Sequence, residues 1–258
     1  MINCKTTIPS RIRNDLKKKK ILKLITGLNN FNLNKISNIC IAASKNIVTY
    51  IDISSDPYLI RAIKKITDLP ICASSILPEE LYQSVEAGAD IIELGNYESF
   101  YEKGLIVNPD HIIYLTNKIR NRMPNTPLTV TIPSYLQLEE QINLAIKLQD
   151  YNINFLQTEG KYKIKSRYLL DYIKLALPTL IATEKISKLV NIPIICSSGI
   201  SIFTAPLSIY LGASGVGVGS LLKNINNKSD LDNLINNLKL SLLLSIRNKN
   251  TKNIVLHK

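Results

Sequence analysis

The sequence predicts a single-domain, eightfold parallel β/α barrel of the TIM class, and three observations carry that prediction. Short β-branched runs alternate with longer amphipathic stretches, recurring roughly every 20 to 40 residues, close to the ~30 of one barrel unit. The chain has 258 residues, near the ~250 typical of the class. Pro70, Pro127 and Pro193 stand at the entrances of three apolar runs, where a missing N–H breaks no ladder bond.

Residues 1–20 read as a lead-in. Met1 to Asn14 carries Lys5, Arg11 and Arg13 without an acid, and Lys17 to Lys20 follow. That pattern suits a transit peptide or a solvated lead-in helix, and it lacks the apolar core of a secretory signal. The strands are expected at Ile21–Thr26, Ile47–Ile53, Pro70–Ser74, Asp90–Leu94, Leu128–Ile132, Asn154–Gln157, Ile192–Cys196 and Gly215–Val218. Their near-continuous apolar character is what a parallel strand needs when both of its faces are covered. Pro78-Glu79-Glu80 opens the helix after the third strand, with fixed φ and two carboxylates at the positive end of the dipole, and Gly88 closes it. Between the fifth and sixth strands, Leu136 to Tyr151 places Leu138, Ile142, Ala145, Ile146 and Leu148 on one face. The last helix, Asp230 to Ile246, does the same with Leu231, Leu234, Ile235, Leu238 and Leu242, and residues 248–258 form a tail. No linker or second core divides residues 1–258.

Composition narrows the function classes. With 45% hydrophobic and 20% charged residues, 10 Gly and 11 Pro, the chain is neither disordered, collagen-like nor a disulfide mini-protein. The 32 Lys+Arg against 20 Asp+Glu leave a net charge of +12, which would attract nucleic acid, anionic lipid or phosphorylated metabolites. Yet 40 Ile, 26 Asn and 25 Lys share A/T-rich codons, so coding bias with a solvated surface accounts for the surplus. Cys4, Cys40, Cys72 and Cys196 form no CxxC pair, which argues against a metal site and for a reducing compartment. No window of about 18 apolar residues predicts a membrane span. His111 and His257, the only histidines, are not placed as a general base, and neither a P-loop nor an early GxGxxG is present.

A barrel of this class works at the loops after its strands. The seventh strand leads into Cys196-Ser197-Ser198-Gly199, and the eighth, Gly215 to Val218, leads into Gly219-Ser220. Glycines there let backbone amides approach a phosphate, and a short helix starting near Ser220 would aim its donors at the same point. Tight turns or close packing would use the same glycines. Lys23, Asp52, Ser74, Ser75 and Glu93 interrupt apolar runs, and the sixth strand ends Gln157-Thr158-Glu159 with Gln157 and Glu159 on one face. Lys23 could pair with Asp52 or Glu93, form a Schiff base, act as a base, or point to solvent. Asp52 could instead cap the next helix, Asn29 and Asn30 either bind a ligand or cap, and Thr129 and Thr131 read as β-formers.

Several segments together resemble one family: ILKLITGLNNFN from Ile21, AGADIIELGNYESFY from Ala87, NFLQTEG from Asn154, and IICSSGISIFTAP from Ile194 followed by LGASGVGVGS. It is the plastid and cyanobacterial family named hypothetical chloroplast reading frame twenty-three, and the likeness runs from about Ile21 to Leu222. The resemblance implies a TIM-barrel fold and a home in the plastids of algae or in cyanobacteria, and the plastid stroma is the expected location; it brings no proven activity, so no catalytic residue is carried across. The endings of strands seven and eight are also similar to phosphate-binding barrels such as thiazole synthases and sugar-phosphate epimerases. The chain departs from class I aldolases in having no lysine within its sixth strand; Lys161, Lys163 and Lys165 come after it.

Two functional readings result. In the first, the barrel binds a small phosphorylated metabolite or FMN on the Ser197, Ser198, Gly199, Gly217, Gly219 and Ser220 segment, with Asn29, Asn30 and Asp52 nearby. Lys23, Glu93, Gln157 and Glu159 then serve lyase, isomerase or synthase chemistry. In the second, a non-catalytic barrel contacts nucleic acid or protein through its basic surface. With 6% aromatic residues, and only Tyr162, Tyr168 and Tyr172 near the Lys161 to Arg167 cluster, nucleic acid has little to stack on. No metal is expected, and self-association is left open.

Overall fold

The computed structural model describes residues 7–46, 48–95, 97, 104, 108–160, 168–223, 225 and 227–250. Helix α1 (Ser10–Lys17) precedes β1 (Ile21–Ile25), and the chain then alternates through α2 (Leu33–Lys45), β2 (Tyr50–Ser54), α3 (Pro57–Lys64), β3 (Ile71–Ser75), α4 (Pro78–Glu86) and β4 (Ile91–Leu94). The second half runs α5 (Pro109–Arg122), β5 (Leu128–Ile132), α6 (Leu138–Leu148), β6 (Phe155–Thr158), α7 (Leu169–Ile186), β7 (Ile194–Cys196), α8 (Ala205–Tyr210), β8 (Gly215–Val218) and α9 (Lys228–Asn250). The strands close in the order β1 to β8. All the pairs are parallel, and β8 returns to β1 with Ile21 opposite Gly215 and Lys23 opposite Gly217.

Alternation along each strand divides the core in two. Outward residues such as Leu22, Leu24, Ile51, Ile53, Val216 and Val218 join one apolar layer with α2, α3, α8 and α9. Ile92, Leu94, Leu128, Val130, Ile132 and Leu156 join another with α4, α5 and α6. The first inward residues, Ile21, Tyr50, Cys72, Ile91, Phe155 and Ile195, pack inside the barrel with Ile12 of α1. Helix α1 therefore covers the amino end of the barrel. Asp15 ties it down, accepting from Thr49 Oγ1 (2.7 Å), which in turn accepts from the Leu22 amide (2.9 Å).

The eight strands lie where the sequence places them, with shifted ends. The second begins at Tyr50 rather than Ile47, because the Val48 amide still bonds back to Ala43 O at 3.3 Å, on the exit of α2. Gly88 closes the turn after α4 at φ 106°, where an L side chain is strained. Helix α6 is shorter than its apolar stripe and passes into a 3-10 turn over Gln149–Tyr151. Its stripe is also rotated: Leu144 is buried beside Ala145 and Leu148, and Ile146 is exposed. The lead-in is more than a solvated helix, since Ile12 and Asp15 are buried. The Lys161 to Arg167 cluster, Cys4, His257 and the tail from residue 251 lie outside the described residues. Cys40, Cys72 and Cys196 are buried free thiols. Among the described residues, no helix is long and apolar enough to cross a membrane.

Candidate active site inside the barrel

Above the apolar layer, the next inward residue of each strand is polar or absent. Lys23 of β1, Asp52 of β2, Ser74 of β3, Glu93 of β4, Thr131 of β5, Gln157 of β6 and Ser197 just beyond β7 are all buried, and β8 contributes Gly217. Barrel interiors are ordinarily filled with branched aliphatic side chains at such positions. Here the Lys23 ammonium donates to Asp52 Oδ2 (2.8 Å), Glu93 Oε2 (2.5 Å) and Gln157 Oε1 (2.8 Å). An ammonium has three protons, so each of them is committed. Ser74 Oγ donates to Asp52 Oδ1 (2.5 Å), and Glu93 Oε1 accepts from Thr131 Oγ1 (3.1 Å) and Gln157 Nε2 (2.6 Å). Ser197 Oγ completes the ring by donating to Gln157 Oε1 at 3.0 Å.

The electrostatics of this ring follow from burial and pairing. Burial alone would lower the Lys23 ammonium, but Asp52 and Glu93 overturn that effect and hold it well above the ordinary lysine value. Burial raises the Glu93 carboxyl against the pull of Lys23, and the Asp52 charge raises it further. Facing one ammonium together with a second carboxylate, Glu93 is thus held above the ordinary carboxylate value. Lys23, by contrast, is a fully donated cation, not a free amine.

Other residues singled out in the sequence sort clearly. Asp52 pairs with Lys23, and it is Asp56 that caps α3, accepting from the Leu59 amide at 2.6 Å. Asn32 likewise caps α2, accepting from the Lys35 amide at 3.0 Å, so neither Asn29 nor Asn30 is the cap. Asn30 donates to Thr26 O at 3.1 Å and braces the loop, while Asn29 is exposed. Glu159 is buried and accepts from the Ser134 amide at 3.1 Å. Ser198 and Gly199 both adopt φ 70° at the exit of β7, a conformation that is costly for serine and that clusters at functional sites.

The glycines of β8 divide. A Cβ on Gly217 would lie 2.0 Å from Ser197 Oγ, so close packing of β8 requires glycine there. Gly219 borders a hollow of about 320 Å³ with Thr26, Asn29, Asn30, Lys35 and Lys223. Ser220 opens a 3-10 turn, Ser220–Leu222, behind it. Among the described residues no backbone acceptor takes the amides of Gly199, Gly219 or Ser220.

Some site residues have no clear sequence signal. Thr131 looks like an ordinary strand residue, and Lys35 and Lys223 are two of many lysines. Tyr97 lies beyond β4; its phenol is buried without a hydrogen-bond partner among the described residues, and burial together with Glu159 and Glu93 pushes it up.

Residues 8–248 match the family described as Protein of unknown function (DUF561). The chain belongs to that family. Among its relatives, the uncharacterized protein ycf23 of Cyanophora paradoxa is 43% identical over 232 residues, covering 89% of this chain and 95% of the relative. That of Cyanidium caldarium is 38% identical over 232 residues, covering 89% and 93%. These algal relatives are plastid-encoded, which puts this DUF561 protein in the plastid. In solved structures the fold is similar to thiamine phosphate pyrophosphorylase from Pyrococcus furiosus, with TM-score 0.59 and 15% identity over 89% of this chain and 98% of that one. It is also similar to 3-hexulose-6-phosphate synthase, with TM-score 0.60 and 16% identity over 86% and 99%. At such identities the likeness establishes the TIM barrel.

Proposed function

We propose that this DUF561 protein is a stromal enzyme that moves a proton on a small phosphorylated metabolite in the mouth of its barrel, as a lyase, isomerase or synthase does. The observation that carries this reading is the buried ring of Lys23, Asp52, Glu93 and Gln157. Burying one cation with two carboxylates costs more than an aliphatic layer would, and groups shifted in this way concentrate where chemistry is done. Glu93, raised by burial, is the proton carrier, and Glu159 on the same strand face as Gln157 is its partner nearer the rim. Lys23 is a positioning residue that fixes the Glu93 and Gln157 side chains. Tyr97, a neutral buried phenol, supplies a donor beside the two glutamates.

The phosphate subsite of this proposal is the hollow between β1 and β8. Gly219 lines it beside Asn29, Asn30, Lys35 and Lys223, and this reading takes the amides of Gly219 and Ser220, with those of Ser198 and Gly199 at the β7 exit, as the donors. A hollow of about 320 Å³ is at the small end of ligand sites, which run to ~300–1,000 Å³, and suits a small phosphate ester better than a whole FMN. Thiamine phosphate pyrophosphorylase and 3-hexulose-6-phosphate synthase carry phosphate in their names, which agrees with this choice of ligand class.

Thermal unfolding with inorganic phosphate, glycerol 3-phosphate, a panel of sugar phosphates and FMN tests the reading. At ligand about 100-fold above its Kd, stabilisation is ~2.7 kcal/mol, a rise in Tm on the order of 5–10 °C for a chain of this size. The Lys35→Ala, Lys223→Ala double variant should lose most of that rise. A flat response to every phosphate ester at millimolar concentration overturns the proposal.

A further inference from the structure

The strand registers place Asp52, Glu93, Gln157 and Gly217, one from each alternate strand, in a single layer of the barrel, the arrangement of four that this fold stacks along its axis. Two residues further along the same strands, towards the carboxyl end, alternation brings Ser54, Gly95, Glu159 and Gly219 to the next layer. Glu159 alone of these has a side chain longer than that of serine. The layer above the Lys23 ring thus carries one carboxylate, and Gly219 of the hollow assigned to phosphate stands level with it, two strands away. Two strand spacings put ~10 Å between those two backbones, a gap that the carbon chain of a pentose or hexose phosphate bridges. Two buried hydroxyls accompany Glu159. The Tyr97 ring is packed in the apolar layer with Leu94 and Ile112 and is 2% exposed. Its phenol oxygen nevertheless has no hydrogen-bond partner among the described residues, and neither has the buried Oγ of Ser134. Ser134 is tied to Glu159 through its amide, which donates to Oε1 at 3.1 Å. Burial, with the charges of Glu159 and Glu93, keeps the phenol in its protonated form. A buried hydroxyl without a partner costs stability, and a fold that keeps two of them around one carboxylate points to a function for them.

We propose that Glu159, with the hydroxyls of Tyr97 and Ser134, reads the end of the ligand remote from its phosphate, selecting a sugar phosphate with a hydroxyl beside a carbonyl and rejecting the corresponding phosphorylated acid. The proposal rests on the phosphorylated-metabolite reading above and adds the chemical class of the ligand's other end. A carbonyl oxygen accepts from the Tyr97 and Ser134 hydroxyls, and the neighbouring hydroxyl donates to Glu159. A site that holds such groups ready binds poorly whatever lacks their partners, because its own polar atoms are then left buried and unpaired. A carboxylate in place of the carbonyl adds like-charge repulsion, the element by which a site excludes a near relative of its ligand.

Calorimetric titration of the full chain with inorganic phosphate, fructose 6-phosphate, ribulose 5-phosphate and 6-phosphogluconate tests this. The sugar phosphates should bind more tightly than phosphate alone, and on the order of 100-fold more tightly than 6-phosphogluconate, whose carboxylate meets that of Glu159. Glu159→Gln, which keeps an acceptor for the Ser134 amide, should shrink that preference below about tenfold by admitting the acid. Tyr97→Phe should leave the ligand-free Tm unchanged or raised, since it removes an unpartnered hydroxyl. It should weaken the sugar phosphates roughly tenfold, the loss of one hydrogen bond, while inorganic phosphate binds as before. A purely structural phenol would give the reverse, a lowered Tm with binding intact, and that result overturns the proposal. So does a wild type that takes 6-phosphogluconate as readily as fructose 6-phosphate, or a Glu159→Gln variant with unchanged preference; the Tyr97 arm decides if Glu159→Gln misfolds. Phosphate bound with no gain from the sugar overturns this proposal and leaves the phosphate subsite standing, whereas no binding of any of these anions overturns both.

Discussion

Lys23 shares its three protons among Asp52, Glu93 and Gln157, and its removal strands the partners rather than merely deleting a contact. Lys23→Met should destabilise the fold by about 3–5 kcal/mol, the usual cost of leaving one member of a buried ion pair alone. Lys23→Met with Glu93→Gln should recover part of that loss, a coupling visible in a double-mutant cycle of urea unfolding. The pH response has a definite sign. A lysine raised in the folded state binds its proton more tightly there than in the unfolded chain. Its stabilising effect is therefore complete below the unfolded value of ~10.4 and declines as pH rises towards the folded one. Wild-type stability should fall more steeply above about pH 10.4 than that of Lys23→Met, measured by denaturant melts from pH 8 to 11.5. The principal members of this ring were legible because Lys, Glu and Gln are conspicuous in apolar strands. Asp52 was ambiguous against Asp56, since capping and pairing use the same carboxylate. Thr131 was not legible, because small hydroxyl residues are common in strands, and Tyr97 was not, because no strand register points it anywhere.

Strand β8 shows how one run of glycines can serve more than one purpose. Its alternating glycines are real, but the inward ones meet neighbours. A Cβ on Gly215 would fall 2.3 Å from the Ile21 Cβ, and one on Gly217 would fall 2.0 Å from Ser197 Oγ. Sequence proximity could not separate an anion cradle from a narrow place in the barrel wall; only the opposite strand decides it. Gly217→Ala should displace the Ser197 hydroxyl from Gln157 and cost about 1–3 kcal/mol. Gly219→Ala, whose Cβ meets Ile25 at 3.2 Å, should cost less; paired Tm measurements check the order. The same limit governs α6, where Leu144 and Ile146 are equally apolar and the packing of neighbouring elements selects Leu144. Strand positions were more secure, because a run buried on both faces leaves few alternatives.

At the level of the molecule, closure of β8 on β1 was implicit in eight regularly spaced units, whereas the role of α1 was not. Ile12 is one apolar residue among several cations, and its burial depends on a barrel floor that exists only once all the strands have met. Ile12→Ala should cost about 2–5 kcal/mol, as large-to-small changes in a packed core do, and should raise binding of a hydrophobic dye; an unchanged unfolding midpoint would show that α1 does not seal the floor.

That seal gives the barrel a direction. With Ile12, Tyr50, Phe155 and Ile195 packed across the amino end, the charged ring above them is closed from that side, and Lys23 and Glu93 themselves are fully buried. On the function proposed above, a ligand of Glu93 would have to come and go from the carboxyl end of the barrel, so arrival and exit would take turns.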